Sequence, residues 1–240
     1  MESLEPGRVC ALILAAGANT RINSIVAPFG KPLILMNGKP LIRHAVDHAL
    51  KDWGASTVSI IVAPENARAI LSLCQPEYNY IVQPGPSGVV DAISRGLPFS
   101  DGEWTLILCA DNTFTLDGES IQLPPKHSCF GTRKLSPEDA RRFTRFKLRK
   151  PIDVTTFKDD TPQFLQHGVH IIEADAQGVD VVGDGVWIGP LLLRTEMIAQ
   201  ALMSRPNTVV ELMRLATNDG ITLQPFKMRC EDLGMPEELQ

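Results

Sequence analysis

Three nearly uninterrupted apolar runs, Val9 to Ala15, Val58 to Ala63 and Thr105 to Ala110, most constrain what this chain can fold into. A strand apolar at almost every position, rather than at alternate ones, is buried on both faces, as strands inside a parallel sheet are. The segments between them have helical character. Pro40 to Trp53 reads as a helix with proline at its start, Pro64 to Cys74 as a second, and Ser87 to Leu97 as a third capped by Ser87. Tyr80 to Gln83 is a short strand between the last two. Strands alternating with helices require right-handed crossovers, so the expected fold is α/β, a Rossmann-like, mostly parallel central sheet with helices on both faces.

The second half is less regular. Residues 115 to 165 contain Pro124, Pro125, Pro137, Pro151 and Pro162 together with a basic run, which suggests excursions from the sheet. Strand candidates return at Gly168 to Glu173 and Val186 to Leu193, followed by helices over Thr195 to Met203 and Thr208 to Thr217 and a strand over Ile221 to Phe226. There is no internal repeat, low-complexity segment or plausible linker. With 240 residues the chain can bury one sizeable core. The expected organisation is therefore a single domain over 1–240, with a regular half at 9–115 and a less regular half at 116–240.

Charge limits the partners. A formal net charge of -5 gives no global attraction to nucleic acid or to anionic membrane, so any affinity for phosphate must be local. The run RRFTRFKLRK at 141–150 reads first as a solvated face. Five scattered cysteines without C-x-x-C spacing read as reduced thiols. The apolar run Val9 to Ala16 is too short for a signal core or a membrane span. A cytoplasmic setting is the default expectation, with a homo-oligomer left open.

The chemistry concentrates between Leu12 and Ile42. The first strand empties into a turn of Ala15, Ala16, Gly17, Ala18 and Asn19, small enough for backbone amides to approach a polyphosphate, and Arg21 and Lys31 follow ten residues apart. In open α/β sheets ligands bind at the carboxyl ends of the strands. Asp111 ends the strand Thr105 to Ala110 at that same edge, well placed to hold Mg²⁺, which usually takes one or two carboxylates plus phosphate oxygens. The alternative readings are plainer: Arg21 as a surface cation, Asp111 as a turn cap beside Asn112, and Gln83 to Gly88 as a proline-bracketed turn entering a helix. His44 and His48, spaced i,i+4, read as a structural pair rather than a metal site, and His167 and His170 receive no role.

These segments resemble the sugar-1-phosphate nucleotidyltransferases, most nearly those of the glucose-1-phosphate thymidylyltransferase type. The opening signature runs from the first strand through Arg21 and Lys31 to GKPLI; QPGPSGVVDAI (Gln83 to Ile93) is similar to their base-binding segment, LILCADNTF (Leu106 to Phe114) to their first metal segment, and CEDLGMPEEL (Cys230 to Leu239) to their late metal segment. The resemblance is firm over residues 9 to 115 and 230 to 239. It implies a GT-A type nucleotidyltransferase fold and a set of roles. Arg21 and Lys31 would bind the triphosphate and the attacking phosphate, Leu14 and Ala16 would contact the base through backbone, and Gly17, Asn19 and Thr20 would complete the nucleotide site. Gln83 and Gly88 would read the base, Asp111 and Asp232 would hold Mg²⁺, and Lys150 would meet the sugar phosphate. The implied reaction joins dTTP or UTP to a sugar-1-phosphate and releases pyrophosphate.

Glu231 and Met235 stand in the late metal segment where the family shows other residues; further back, Asn19 stands where a second glycine is usual, and Arg149 where a glutamate precedes the lysine. Asn19 and Arg149 motivate a second reading, a catalytically weak nucleotide-binding regulatory domain on the same fold. A third is a cytidylyltransferase or molybdopterin-type nucleotidyltransferase, which would use CTP or GTP. A dinucleotide oxidoreductase is disfavoured, because G-x-G-x-x-G is missing and Ala63 and Pro64 stand where an acidic residue should end the second strand.

Overall fold

The computed structural model describes residues 5–17, 30–116, 129–133, 144–149, 170–175, 185–217 and 224–232. Strand β1 (Glu5–Leu14) lies inside a ten-stranded sheet. After it come a small ribbon, β2 (Leu35–Met36) with β3 (Lys39–Pro40), and then β4 (Thr57–Val62), β5 (Asn79–Val82) and β6 (Gly102–Cys109). β1 pairs in parallel with β4 on one side and β6 on the other, and β4 pairs in parallel with β5. All of the expected first-half strands are present. β4 shows why its sequence is largely apolar: Val58 to Val62 are all buried.

The crossovers are helical, as the periodicity requires. α1 (Leu41–Asp47) starts after Pro40 and widens into a π turn over His48–Asp52, which keeps both Ala49 and Trp53 in the core. α2 (Pro64–Leu73) has Pro64 at its first position, where the fixed φ suits a helix and no amide hydrogen is missed. α3 (Gly88–Gly96) follows Ser87, but the cap expected of that serine does not form: its hydroxyl donates to the Gly85 carbonyl instead.

The second half completes a mixed sheet. It contributes β7 (Asn112–Leu116), β8 (Cys129–Arg133), β9 (Thr144–Arg149), β10 (His170–Asp175), β11 (Gly185–Arg194) and β12 (Gln224–Asp232), with α4 (Thr195–Met203) and α5 (Val209–Thr217) between the last two. The strand order is β5-β4-β1-β6-β11-β8-β12-β7, with β9 joined to β11 and β10 to β9. β11 runs antiparallel to β6, β8 and β9, and β12 runs antiparallel to β7 but parallel to β8. The expected excursions over 115 to 165 are thus corrected in part, because β8 and β9 lie within that stretch. Antiparallel strands need no crossover helix. All five prolines of that stretch fall outside the described residues, between the strands. The basic run, too, contains a paired strand, β9.

Alternate residues of β1 feed two cores. Val9, Ala11 and Ile13 pack with Ile42, Ala45 and Val46 of α1 and Ile70 of α2. Leu12 packs on the opposite face with Ile93 of α3, Ile198 of α4 and Leu212 and Met213 of α5. Helices therefore cover both faces of the sheet. α4 is pinned by a buried polar chain in which Thr195 donates to the Gly102 carbonyl at 2.6 Å and shares a 2.8 Å hydroxyl bond with Thr105.

Gly102 marks a close approach. A side-chain carbon there would stand 2.6 Å from the Arg8 carbonyl oxygen, a backbone atom held by the sheet. Gly102→Ala should lower stability by about 1–3 kcal/mol. Gly85→Ala, where nothing lies within 4 Å of the added carbon, should stay within about 0.5 kcal/mol of the parent. Urea unfolding followed by circular dichroism would separate the two, and equal stabilities would refute the packing account.

Candidate functional site

The parallel ladder ends at one level. Ala15 donates to the Ile61 carbonyl at 2.8 Å, Ala110 to the Leu14 carbonyl at 3.0 Å, and Gln83 to the Val62 carbonyl at 2.9 Å. The segments that leave β1, β4, β5 and β6 consequently emerge side by side along one sheet edge. Ala15 and Ala16 are buried there, and Gly17 is exposed with nothing within 4 Å of a would-be side-chain carbon. Backbone is open to a ligand at that point.

A residue not singled out from the sequence holds this turn. Asn66, in the first turn of α2, is only 1% exposed. Its Nδ2 donates to the Ala15 carbonyl at 2.8 Å, and its Oδ1 accepts the Ala63 amide at 2.9 Å. One side chain thus ties the exit of β1 to the exit of β4. The sequence signal was available in the spacing Ala63-x-x-Asn66, where a side chain three residues into a helix can reach back to the preceding amide.

The ladder also brings two of the candidate charges together. Gly30, in the left-handed region at φ 77°, leads into a single tight turn over Lys31–Leu33 anchored by buried Pro32. Lys31 leaves this turn half-buried and reaches Asp111, at the exit of β6, with Nζ 3.5 Å from Oδ2. Eighty residues of chain are closed by that contact. Asp232 is brought near by backbone register: in the β12–β7 pair it stands opposite Asn112, the residue after Asp111. Among the described residues no group of three or more His, Cys, Asp or Glu is gathered for a metal, so the candidate donors are this pair of aspartates. Arg21, Asn19, Thr20 and Lys150 lie outside the described residues.

Gln83 and Gly88 adjoin across the mouth of α3. Gln83 is 3% exposed, and its Nε2 donates to the Gly88 carbonyl at 3.0 Å and to Asp91 Oδ2 at 2.8 Å. Gly88 adopts φ 89°, a conformation that side chains resist, which accounts for glycine here. Asp91, a second residue not anticipated, also accepts Nε of Arg95 at 2.7 Å. The Arg95 bond, reinforced by that from Gln83, holds the Asp91 carboxyl below the usual carboxylate range against the opposing effect of burial. The D-x-x-x-R spacing on a helix was the legible sign of that ion pair.

The remaining polar groups are structural. His48 pairs with Asp52, and His44 Nε2 lies 3.1 Å from the Met36 carbonyl, in keeping with the structural reading of that pair. Cys10, Cys74 and Cys109 are reduced, forming no disulfide, and the first two are buried. No helix among the described residues is long and apolar enough to cross a membrane.

Residues 11–122, which span the β1 turn, Lys31, Gln83 and Asp111, are similar to the family described as the MobA-like NTP transferase domain. Over 114 residues the chain is 32% identical to the bifunctional protein GlmU of Bacillus velezensis, covering 47% of this chain and 24% of that protein. It is 26% identical over 134 residues to D-glycero-α-D-manno-heptose 1-phosphate guanylyltransferase of Campylobacter jejuni, covering 54% of this chain and 59% of the relative. The chain therefore spans less than two thirds of either relative. A crystal structure from Bacillus anthracis, assigned to glucose-1-phosphate thymidylyltransferase, superposes with a TM-score of 0.76 at 18% identity, covering 97% of this chain and 92% of that one. That likeness is one of fold. The resemblance to sugar-1-phosphate nucleotidyltransferases and the Rossmann-like fold expected from the sequence are both borne out at this level.

Asn66 provides a direct test of how the turn is held. Asn66→Ala should cost about 1–3 kcal/mol by orphaning the Ala15 carbonyl and the Ala63 amide. Asn66→Asp should cost a similar amount, because a carboxylate accepts from Ala63 but cannot donate to Ala15. Denaturant unfolding would measure both, and a neutral Asn66→Asp would show that the bond to Ala15 carries no weight.

Proposed function

We propose that this chain is a nucleotidyltransferase that joins a pyrimidine NTP, dTTP or UTP, to a sugar-1-phosphate and releases pyrophosphate. The observation that carries this reading is the convergence of Lys31 and Asp111, 3.5 Å apart, at the edge where the β1 turn opens. A phosphate oxygen of the sugar phosphate attacks the α-phosphorus in line as the bond to pyrophosphate breaks. The attacking oxygen is already anionic, so neither a covalent nucleophile nor a strong base is needed. The demand on the protein is positioning and charge neutralisation.

Each residue then has a task. The amides of the turn through Ala16 and Gly17, with Asn19 and Thr20 beyond, cradle the triphosphate, and Leu14 contacts the base through its backbone. Arg21 offers a planar fork to phosphate oxygens, and Lys31 a mobile charge for the attacking phosphate and the leaving pyrophosphate. Gln83 and Gly88 receive the base, and Lys150 meets the sugar phosphate. Asp111 and Asp232 would hold Mg²⁺, since two carboxylates at a phosphate site match the needs of that hard ion. The ion supplies Lewis-acid neutralisation of phosphate charge. We take residues 1–240 as one working unit in which the half at 116–240 provides the acceptor side.

A guanine nucleotide is the second reading, favoured by the Campylobacter relative, which is named as a guanylyltransferase. Pyrophosphate release measured over UTP, dTTP, GTP, CTP and ATP, each with a panel of sugar-1-phosphates and Mg²⁺, decides between them. Lys31→Ala and Asp111→Ala should each lower kcat/KM by roughly 10²–10³-fold. Undiminished turnover in either variant would refute the mechanism, and NTP binding without turnover on any acceptor would identify a regulatory domain.

A further inference from the structure

The amide of Gln83 can face its surroundings in two ways, and its neighbours decide which. Both of its N–H donors already have acceptors, the Gly88 carbonyl at 3.0 Å and Asp91 Oδ2 at 2.8 Å. A flipped amide would turn its carbonyl oxygen toward two acceptors, one of them charged, and lose both bonds. Arg95 makes the arrangement one-sided. Its Nε donates to the same Asp91 oxygen at 2.7 Å, which keeps Asp91 a carboxylate, able to accept but not to donate.

From this we propose that Asp91 is a positioning residue that fixes the orientation of the Gln83 amide, and so makes the base site select nucleotides with a hydrogen-donating ring nitrogen. The inference rests on the reading of Gln83 and Gly88 as the base site. With its N–H groups committed, Gln83 has one hydrogen-bonding atom left for a ligand, the acceptor Oε1. Uracil and thymine offer N3–H to it, and guanine offers N1–H. Cytosine and adenine carry an unprotonated nitrogen at the equivalent ring position, which would meet Oε1 acceptor to acceptor. Gly88, with nothing within 4 Å of the position its side chain would take, leaves room for the ring.

The consequence is specific to hydrogen-bond polarity. In Asp91→Asn, Arg95 holds the new carbonyl oxygen at the position of Oδ2, where Gln83 also donates, so the glutamine keeps its orientation. In Asp91→Ala that acceptor is lost and only the Gly88 carbonyl still orients the amide. The experiment is calorimetric titration of the full chain and both variants with UTP, dTTP, GTP, CTP and ATP in the presence of Mg²⁺, with melting temperatures to confirm folding.

The wild type should bind UTP, dTTP and GTP more tightly than CTP and ATP. The UTP-to-CTP affinity ratio should fall roughly tenfold in Asp91→Ala, as expected when one of the two bonds that orient the amide is lost, and stay at the wild-type value in Asp91→Asn. A merely structural role would weaken all five nucleotides alike. A wild type that prefers CTP or ATP, or an Asp91→Ala variant that keeps the wild-type ratio, overturns this inference and leaves the nucleotidyltransferase reading intact. A wild type that binds none of the five overturns that reading, and this inference with it.

Discussion

Parallel pairing of β1 between β4 and β6 is the constraint on which the site depends. Strands that run the same way end at the same edge, and each must return through a crossover. The loop after every strand is therefore delivered to one place. Hydrogen bonds from Ala15, Gln83 and Ala110 fix that edge to a common level, so the β1 turn, the Gln83 segment and Asp111 meet although they are far apart in sequence. The same geometry explains why the buried parts of β1, β4 and β6 are almost wholly apolar, since α1 and α2 cover one face and α3, α4 and α5 the other.

Much of this was legible in the sequence because parallel strands and their helices have distinct periods. The strands over β1, β4, β5 and β6 and the helices between them follow their expected segments closely, and α4 matches Thr195–Met203 residue for residue. The middle was less legible. In RFKLR, within β9, cations alternate with apolar residues at the strand period, but the surrounding prolines outweighed a signal only five residues long. The side chain of Ser87 could not be placed from sequence because capping depends on the exact φ and ψ of the flanking residues, and here Gly88 takes a positive φ. Asn66 and Asp91 were missed for another reason. Their partners, Ala15 for one and Gln83 for the other, are contacts made by the fold, and no local pattern announces them.

The charge pattern carries a similar lesson. The chain is acidic overall, yet the proposed site needs cations for phosphate and carboxylates for a metal within a few ångströms. Lys31 and Asp111 satisfy each other at 3.5 Å, so neither stands as an uncompensated charge in a half-buried setting. An arriving phosphate and its metal would redistribute this pair rather than create charges afresh. Local pairing of this kind allows a net-negative protein to hold an anionic ligand.

The placement of β12 bears on how the protein is made. Its residues, Gln224–Asp232, enter the sheet between β8 and β7, strands formed more than ninety positions earlier in the chain. A nascent chain can assemble the parallel half, with Lys31 beside Asp111, as soon as β6 has emerged. It cannot bring Asp232 opposite Asn112 until β12 itself has been synthesised. Acquisition of the second carboxylate is thus tied to the last strand of the sheet, and during translation β7 must wait with an open edge for a partner still inside the ribosome.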